Sequence, residues 1–167
     1  RYAYVTFLGA GSNAFRIIDV SNPNLPAVVG GDNLTTGLPG VNPGDLYVSG
    51  RYAYLIFDTS TAADMLRIID ISNPSKPVVV GGSGLSSRMP SVTPLMIFVS
   101  GRYAYMTFKG SGINAFRIID VSDSANPKVA GGDNLASSKI PANVNTGIYV
   151  SGKYAYINLA CRGSCPD

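Results

Sequence analysis

Apolar residues in this chain come in short runs separated by stretches of Gly, Pro, Asn, Asp and Ser. In Tyr52-Ala53-Tyr54-Leu55-Ile56-Phe57, strand alternation puts Tyr52, Tyr54 and Ile56 on one side and Ala53, Leu55 and Phe57 on the other, and both sets are largely apolar. Phe15-Arg16-Ile17-Ile18-Asp19-Val20 also has apolar groups on both sides. A strand that is apolar on both faces is covered on both faces. A two-sheet sandwich would leave one face polar, so the pattern predicts small sheets packed face to face around an axis. The small Ala beside bulky Tyr and Phe suits the wedge-shaped spacing of that arrangement.

The runs recur. VSGRYAY stands at Val48–Tyr54 and Val99–Tyr105 and returns as VSGKYAY at Val150–Tyr156. RIID stands at Arg16–Asp19, Arg67–Asp70 and Arg117–Asp120, and paired glycines stand at Gly30-Gly31, Gly81-Gly82 and Gly131-Gly132. Each marker repeats every 50 or 51 residues. A unit parses into four strands: A (Leu46–Val48), B (Tyr52–Phe57), C (Leu66–Ile71) and D (Val78–Val80), with the next A near Leu95–Val99. Ser-Gly-Arg turns A into B, a polar loop joins B to C, and Ser-Asn-Pro-Ser-Lys-Pro turns C into D. Four short strands per unit of this length is the signature of propeller blades. The units fall at 1–45, 46–94 and 95–147, with a partial unit at 148–159 (A at Ile148–Val150, B at Tyr154–Leu159) and a Cys-containing tail at 160–167.

Composition agrees. Glu, Gln, His and Trp are absent and all acidic residues are Asp, which removes two good helix formers, while Val, Ile, Tyr, Phe and Thr fill the strands. The net charge of +3 is small and dispersed and does not point to nucleic acid. No apolar run is long enough to span a membrane as a helix, and neither a signal peptide nor an initiating Met is visible, so the sequence reads as a processed chain or an excerpt of a longer one.

VSGRYAY, FRIIDVSNPNLP and LRIIDISNPSKP resemble the LVIVD repeat of bacterial and archaeal extracellular β-propellers, across essentially the whole chain. The resemblance implies an all-β propeller of four-stranded blades and an extracellular or cell-surface location. It implies no single activity, because propellers host many. Two departures stand out: the D-to-A segments, such as Gly31–Asp45, are longer than in the family, and DVSDSANP in the third unit reads as carrying inserted residues before Pro127.

The first unit has B, C and D without A, and the last has A and B alone, so the expected ends are incomplete. Three arrangements fit that expectation. The chain is a fragment of a larger propeller; or its last A completes its first blade; or the missing strands come from another copy, by strand complementation that runs head to tail into a filament.

Catalysis has little support. There is no His for acid–base work, no Glu to pair with Asp, and neither Cys161 nor Cys165 has an imidazole partner. Two Cys fall short of a metal site, and no cofactor motif is present. Cys161 and Cys165, separated by Arg162-Gly163-Ser164, read as a disulfide stapling the tail, with a bridge between chains as the other reading. Asp19, Asp70 and Asp120 read either as carboxylates ringing a cation or as acceptors for the following turn and for an Arg such as Arg51; recurrence in every unit favours the second. Asn33-Leu34-Thr35 matches a glycosylation sequon, although a turn Asn is the simpler reading and the equivalent Asn134-Leu135-Ala136 lacks it. The B-to-C loops and the long D-to-A segments are expected at one end of the blades, where ligands usually bind.

The sequence thus predicts a non-enzymatic structural subunit of an extracellular assembly, a head-to-tail filament of copies of itself joined by completed blades. The alternative is a ligand- or protein-binding propeller module of a larger cell-surface protein, using its long-loop face for a glycan or protein. A hydrolase or lyase would need chemistry supplied by further sequence.

Overall fold

The computed structural model describes residues 1–8, 14–32, 34, 37–85, 87–135 and 144–160. These form thirteen strands and no α-helix. The first sheet holds β1 (Tyr2–Thr6), β2 (Phe15–Asp19) and β3 (Ala27–Gly30). The second holds β4 (Pro43–Ser49), β5 (Tyr52–Phe57), β6 (Leu66–Asp70) and β7 (Val78–Gly81). The third holds β8 (Pro94–Ser100), β9 (Tyr103–Phe108), β10 (Phe116–Asp120) and β11 (Lys128–Gly131). The fourth holds β12 (Val144–Ser151) and β13 (Tyr154–Ala160). Each sheet is antiparallel with its strands in chain order, so the expected sets of three, four, four and two are observed. Strands β4, β8 and β12 stand side by side and carry the sheet-to-sheet succession, but the four sheets do not close into a ring.

Three details depart from the sequence reading. The A strands begin earlier, at Pro43, Pro94 and Val144, because a bulge lets the ladder continue past Asp45 and Met96 to Pro43 and Pro94. Short 3₁₀ turns occupy Ala62–Asp64 and Gly112–Asn114 in the B-to-C loops. The third unit carries no insertion before Pro127: its C-to-D turn has the length of the second, with Asp123 and Ser124 replacing Asn73 and Pro74 and the same backbone bond, from Asn126 N as from Lys76 N.

The two-faced strands each serve two cores. Ala53, Leu55, Phe57 and Ile69 pack with Phe15 and Ile17 between the first and second sheets. On the opposite face, Tyr54, Ile56, Leu66 and Ile68 pack with Ala104, Met106 and Phe108 between the second and third. The paired glycines make this stacking close. Gly31 and Gly82 take φ of 96° and 101° at a bulge that ends the sheet. Gly30 and Gly81 leave room for the next sheet: a Cβ there would lie 2.0 Å from the carbonyl oxygen of Pro74 or Ser124, in the following C-to-D turn.

Candidate functional site

The A-to-B and C-to-D turns lie at one end of the sheets, and their polar residues are used structurally. Arg1, Arg51 and Arg102 pair with Asp19, Asp70 and Asp120, and each Asp accepts the amide of the residue two positions on, Ser21, Ser72 or Ser122. Each Arg also lies over the ring of the next Tyr, as Lys153 does over Tyr154. The Ser21 hydroxyl and amide, with Arg1, pull Asp19 down to about 2, and Arg51 with the Ser72 bonds holds Asp70 at about 2. Arg102, then Ser122, pulls Asp120 lower still. The three carboxylates are thus the turn acceptors and Arg partners that their recurrence implied. Among the described residues no group of three or more His, Cys or Asp side chains is placed to hold a metal ion.

The opposite end carries the B-to-C loops and the D-to-A segments, and here the Arg of each RIID does work that its sequence neighbourhood concealed. Arg67 is buried. Its Nε donates to the Gly37 carbonyl (2.6 Å), Nη1 to those of Ala63 and Leu66 (both 2.8 Å), and Nη2 to Asp64 Oδ1 (2.7 Å). One side chain thereby ties the second sheet's own B-to-C loop to the D-to-A segment arriving from the first. Arg117, equally buried, repeats the arrangement one unit on, donating to the carbonyls of Arg88, Ile113 and Phe116. Burial pushes its pKa down. The threefold recurrence of Arg inside an otherwise apolar strand was the sequence signal for these ties.

The first two D-to-A segments differ at a position that shapes the opposite end. Where Arg88 stands in the later segment, at φ 64°, the earlier has Gly37, at φ 86°. Arg88 pairs with both oxygens of Asp133, at 2.6 and 2.7 Å, which holds that carboxyl below its usual range. A cleft of about 470 Å³ with Arg88 in its wall runs along β11, and beside Gly37 the equivalent cleft along β7, lined by Leu38, Pro39, Asp64, Arg67, Val79 and Ser83, widens to about 790 Å³.

A second feature lies on the two outermost sheet faces. Tyr54 is 4% exposed because the third sheet covers it, whereas its equivalent on the fourth sheet, Tyr156, is 57% exposed, with Tyr149 and Tyr154 beside it. At the other end Val20 is 39% exposed, whereas its equivalents Ile71 and Val121 are 4% and 5% exposed under a preceding sheet. Gly131, the third copy of the close-approach glycine, has nothing within 4 Å of the Cβ position. An aromatic row along the innermost strands, Tyr47–Phe98 at 4.9 Å and Phe98–Tyr149 at 5.4 Å, ends on the same uncovered face.

Asn33, Cys161 and Cys165 lie outside the described residues. No described helix is long and apolar enough to cross a membrane. No curated protein matches the chain. The family model of the LVIVD repeat matches at residues 1–32, 42–82, 96–132 and 145–160, well over half of the sequence. These segments coincide with the four sheets and leave out most of the long D-to-A segments, and on this match the chain belongs to the LVIVD repeat family.

Proposed function

We propose that the chain is a non-enzymatic structural subunit of an extracellular assembly, in which its sheets are the blades of a β-propeller architecture completed between copies. One observation carries this reading: the sheet-to-sheet contact that the chain makes internally has its two halves uncovered on opposite outer faces. Tyr149, Tyr154 and Tyr156 lack the cover that a following sheet gives Tyr54, and the face of the first sheet that carries Val20 lacks the cover that a preceding sheet gives Ile71 and Val121. Gly131 is open to the C-to-D turn of a following sheet, as Gly30 and Gly81 are filled by theirs. Among the described residues the fourth sheet has A and B strands alone, and the neighbour's β2 and β3 are strands of the C and D kinds. The neighbour's β1 is equivalent to β13, so one of the two completes the sheet. Such a contact is heterologous and repeats from copy to copy without closing.

Sedimentation velocity across a concentration series tests it. The wild type is expected to grow in mass with concentration, while Gly131→Leu and Tyr156→Lys stay folded at the 17.5 kDa of one chain. A wild type that stays at one chain throughout, or variants that assemble as the wild type does, overturns it.

The cleft along β7 favours a second reading, a ligand- or protein-binding module of a larger cell-surface protein, whose further repeats would cover the same two faces. A native chain much heavier than 17.5 kDa would favour it.

A further inference from the structure

The first two of the three D-to-A segments correspond residue by residue: Leu34 with Leu85, Gly37 with Arg88, Pro39 with Pro90. In the later one, Arg88 lies over the outer strand β11. Its guanidinium donates to both Asp133 oxygens and, at 3.1 Å, to the Val129 carbonyl. In the earlier one, Gly37 has no side chain to occupy the matching space over β7. A Cβ built on Gly37 would press against Val79, the equivalent of Val129, 3.1 Å from its Cβ, and Gly37 and Val79 both line the cleft.

The two places carry the same fixed charges. Beside the Arg88 guanidinium are one buried arginine, Arg117, and one carboxylate, Asp133. The open cleft also has one buried arginine, Arg67, and one carboxylate, Asp64. The acid has changed sides: Ser83 stands where Asp133 does, and Asp64 stands where Asn114 does. Arg67 is occupied by three carbonyls, and Asp64, bonded to it through Oδ1, keeps 40% side-chain exposure. The wider cleft therefore matches the Arg88 cleft without its guanidinium, with the Val79 carbonyl and the second oxygen of Asp64 as the acceptors on offer in place of Val129 and Asp133. The wall of the cleft is β7, the last strand of its sheet, which has no strand partner on its outer side among the described residues. Such an edge receives an extended chain through main-chain hydrogen bonds.

We infer that the cleft is a binding site for an arginine side chain presented by an extended protein segment, the guanidinium taking the place beside β7 that Arg88 takes beside β11. The inference rests on the binding-module reading and supplies its ligand class. An amide NMR titration with N-acetyl-L-argininamide, run against N-acetyl-L-lysinamide, tests it, because a planar guanidinium and a point-charge ammonium differ most at a site built around carbonyl and carboxylate acceptors. The expected result is a saturable shift confined to Gly37, Ser83 and the β7 amides, with the arginine probe the tighter binder. Gly37→Arg should abolish it by filling the cleft from within. Asp64→Asn, which copies Asn114, should weaken binding about threefold and carries the test should Gly37→Arg misfold. Equal or tighter binding of the lysine probe overturns the arginine assignment and leaves the binding reading standing. No saturable shift at these amides with either probe overturns both, and undiminished binding by Gly37→Arg or Asp64→Asn overturns the inference.

Discussion

Three glycines that are identical in sequence context stand in different surroundings, and that difference can be measured. A Cβ on Gly81 would sit 2.0 Å from the Ser124 carbonyl oxygen and 3.0 Å from its carbon, and on Gly30 2.0 Å and 3.1 Å from the same atoms of Pro74. Backbone is the obstacle in both cases, so no rotamer change relieves the contact. The sheets must part by about 1 Å to admit the methyl, and a gap of that size forfeits up to about half of each facing dispersion contact. The contacts at stake are those of Leu55, Phe57 and Ile69 with the first sheet and of Ile56, Ile68 and Met106 between the second and third. Overpacking of this kind costs roughly 1–3 kcal/mol, and the upper end applies here because a whole sheet interface opens. Gly81→Ala and Gly30→Ala should thus each lose about 3 kcal/mol, while Gly131→Ala, with nothing within 4 Å, should stay within about 0.5 kcal/mol of wild type. Urea unfolding of the three variants, at a concentration where the protein is a single chain, gives the comparison. Equal losses at all three positions would mean that backbone flexibility, and not the approach of the next sheet, governs the motif, and would refute the reasoning.

Two further outcomes follow from the ion pairs and from the buried guanidinium. Asp19 and Asp70 are held at about 2 and Asp120 is lowered further, against about 3.9 in an unfolded chain. A folded-state pKa below the unfolded one stabilises the fold above the unfolded value. Urea midpoints should therefore be level from pH 8 to about 5, with no His to titrate between, and fall as the pH drops from about 4 through about 2. A midpoint unchanged or rising over that fall would contradict the assignment. Arg117→Met takes the donor from the carbonyls of Ile113, which is exposed, and Phe116, which is buried, and should cost about 2 kcal/mol in the same assay; a loss under about 1 kcal/mol would mean that the tie is dispensable.

The B and C strands were legible because each side of their two-residue alternation is apolar, and both sides are indeed packed. The beginnings of the A strands were not. Pro43 and Pro94 look like breakers, yet Pro is tolerated at the first residue of a strand, and the bulge after each lets the ladder reach it. The 3₁₀ turns at Ala62–Asp64 and Gly112–Asn114 escaped because three residues carry no periodicity. Asp19, Asp70 and Asp120 declared their role through recurrence beside Ser and downstream of Arg. Arg67 and Arg117 recur as well, but an Arg in a strand reads as a solvated side chain, and the carbonyls it satisfies come from segments four and about thirty residues away. The width of the cleft beside Gly37 could not be read in one dimension, since Arg88 narrows the equivalent cleft only in folded space.

The central claim is that the fourth sheet of one copy and the first sheet of the next make up one blade between them. Negative-stain electron microscopy of the purified chain, with intact mass from the same sample, tests it most directly. The account predicts long fibres built from 17.5 kDa units, lost on Gly131→Leu. Discrete, unassembled particles of a single chain at every concentration would contradict it.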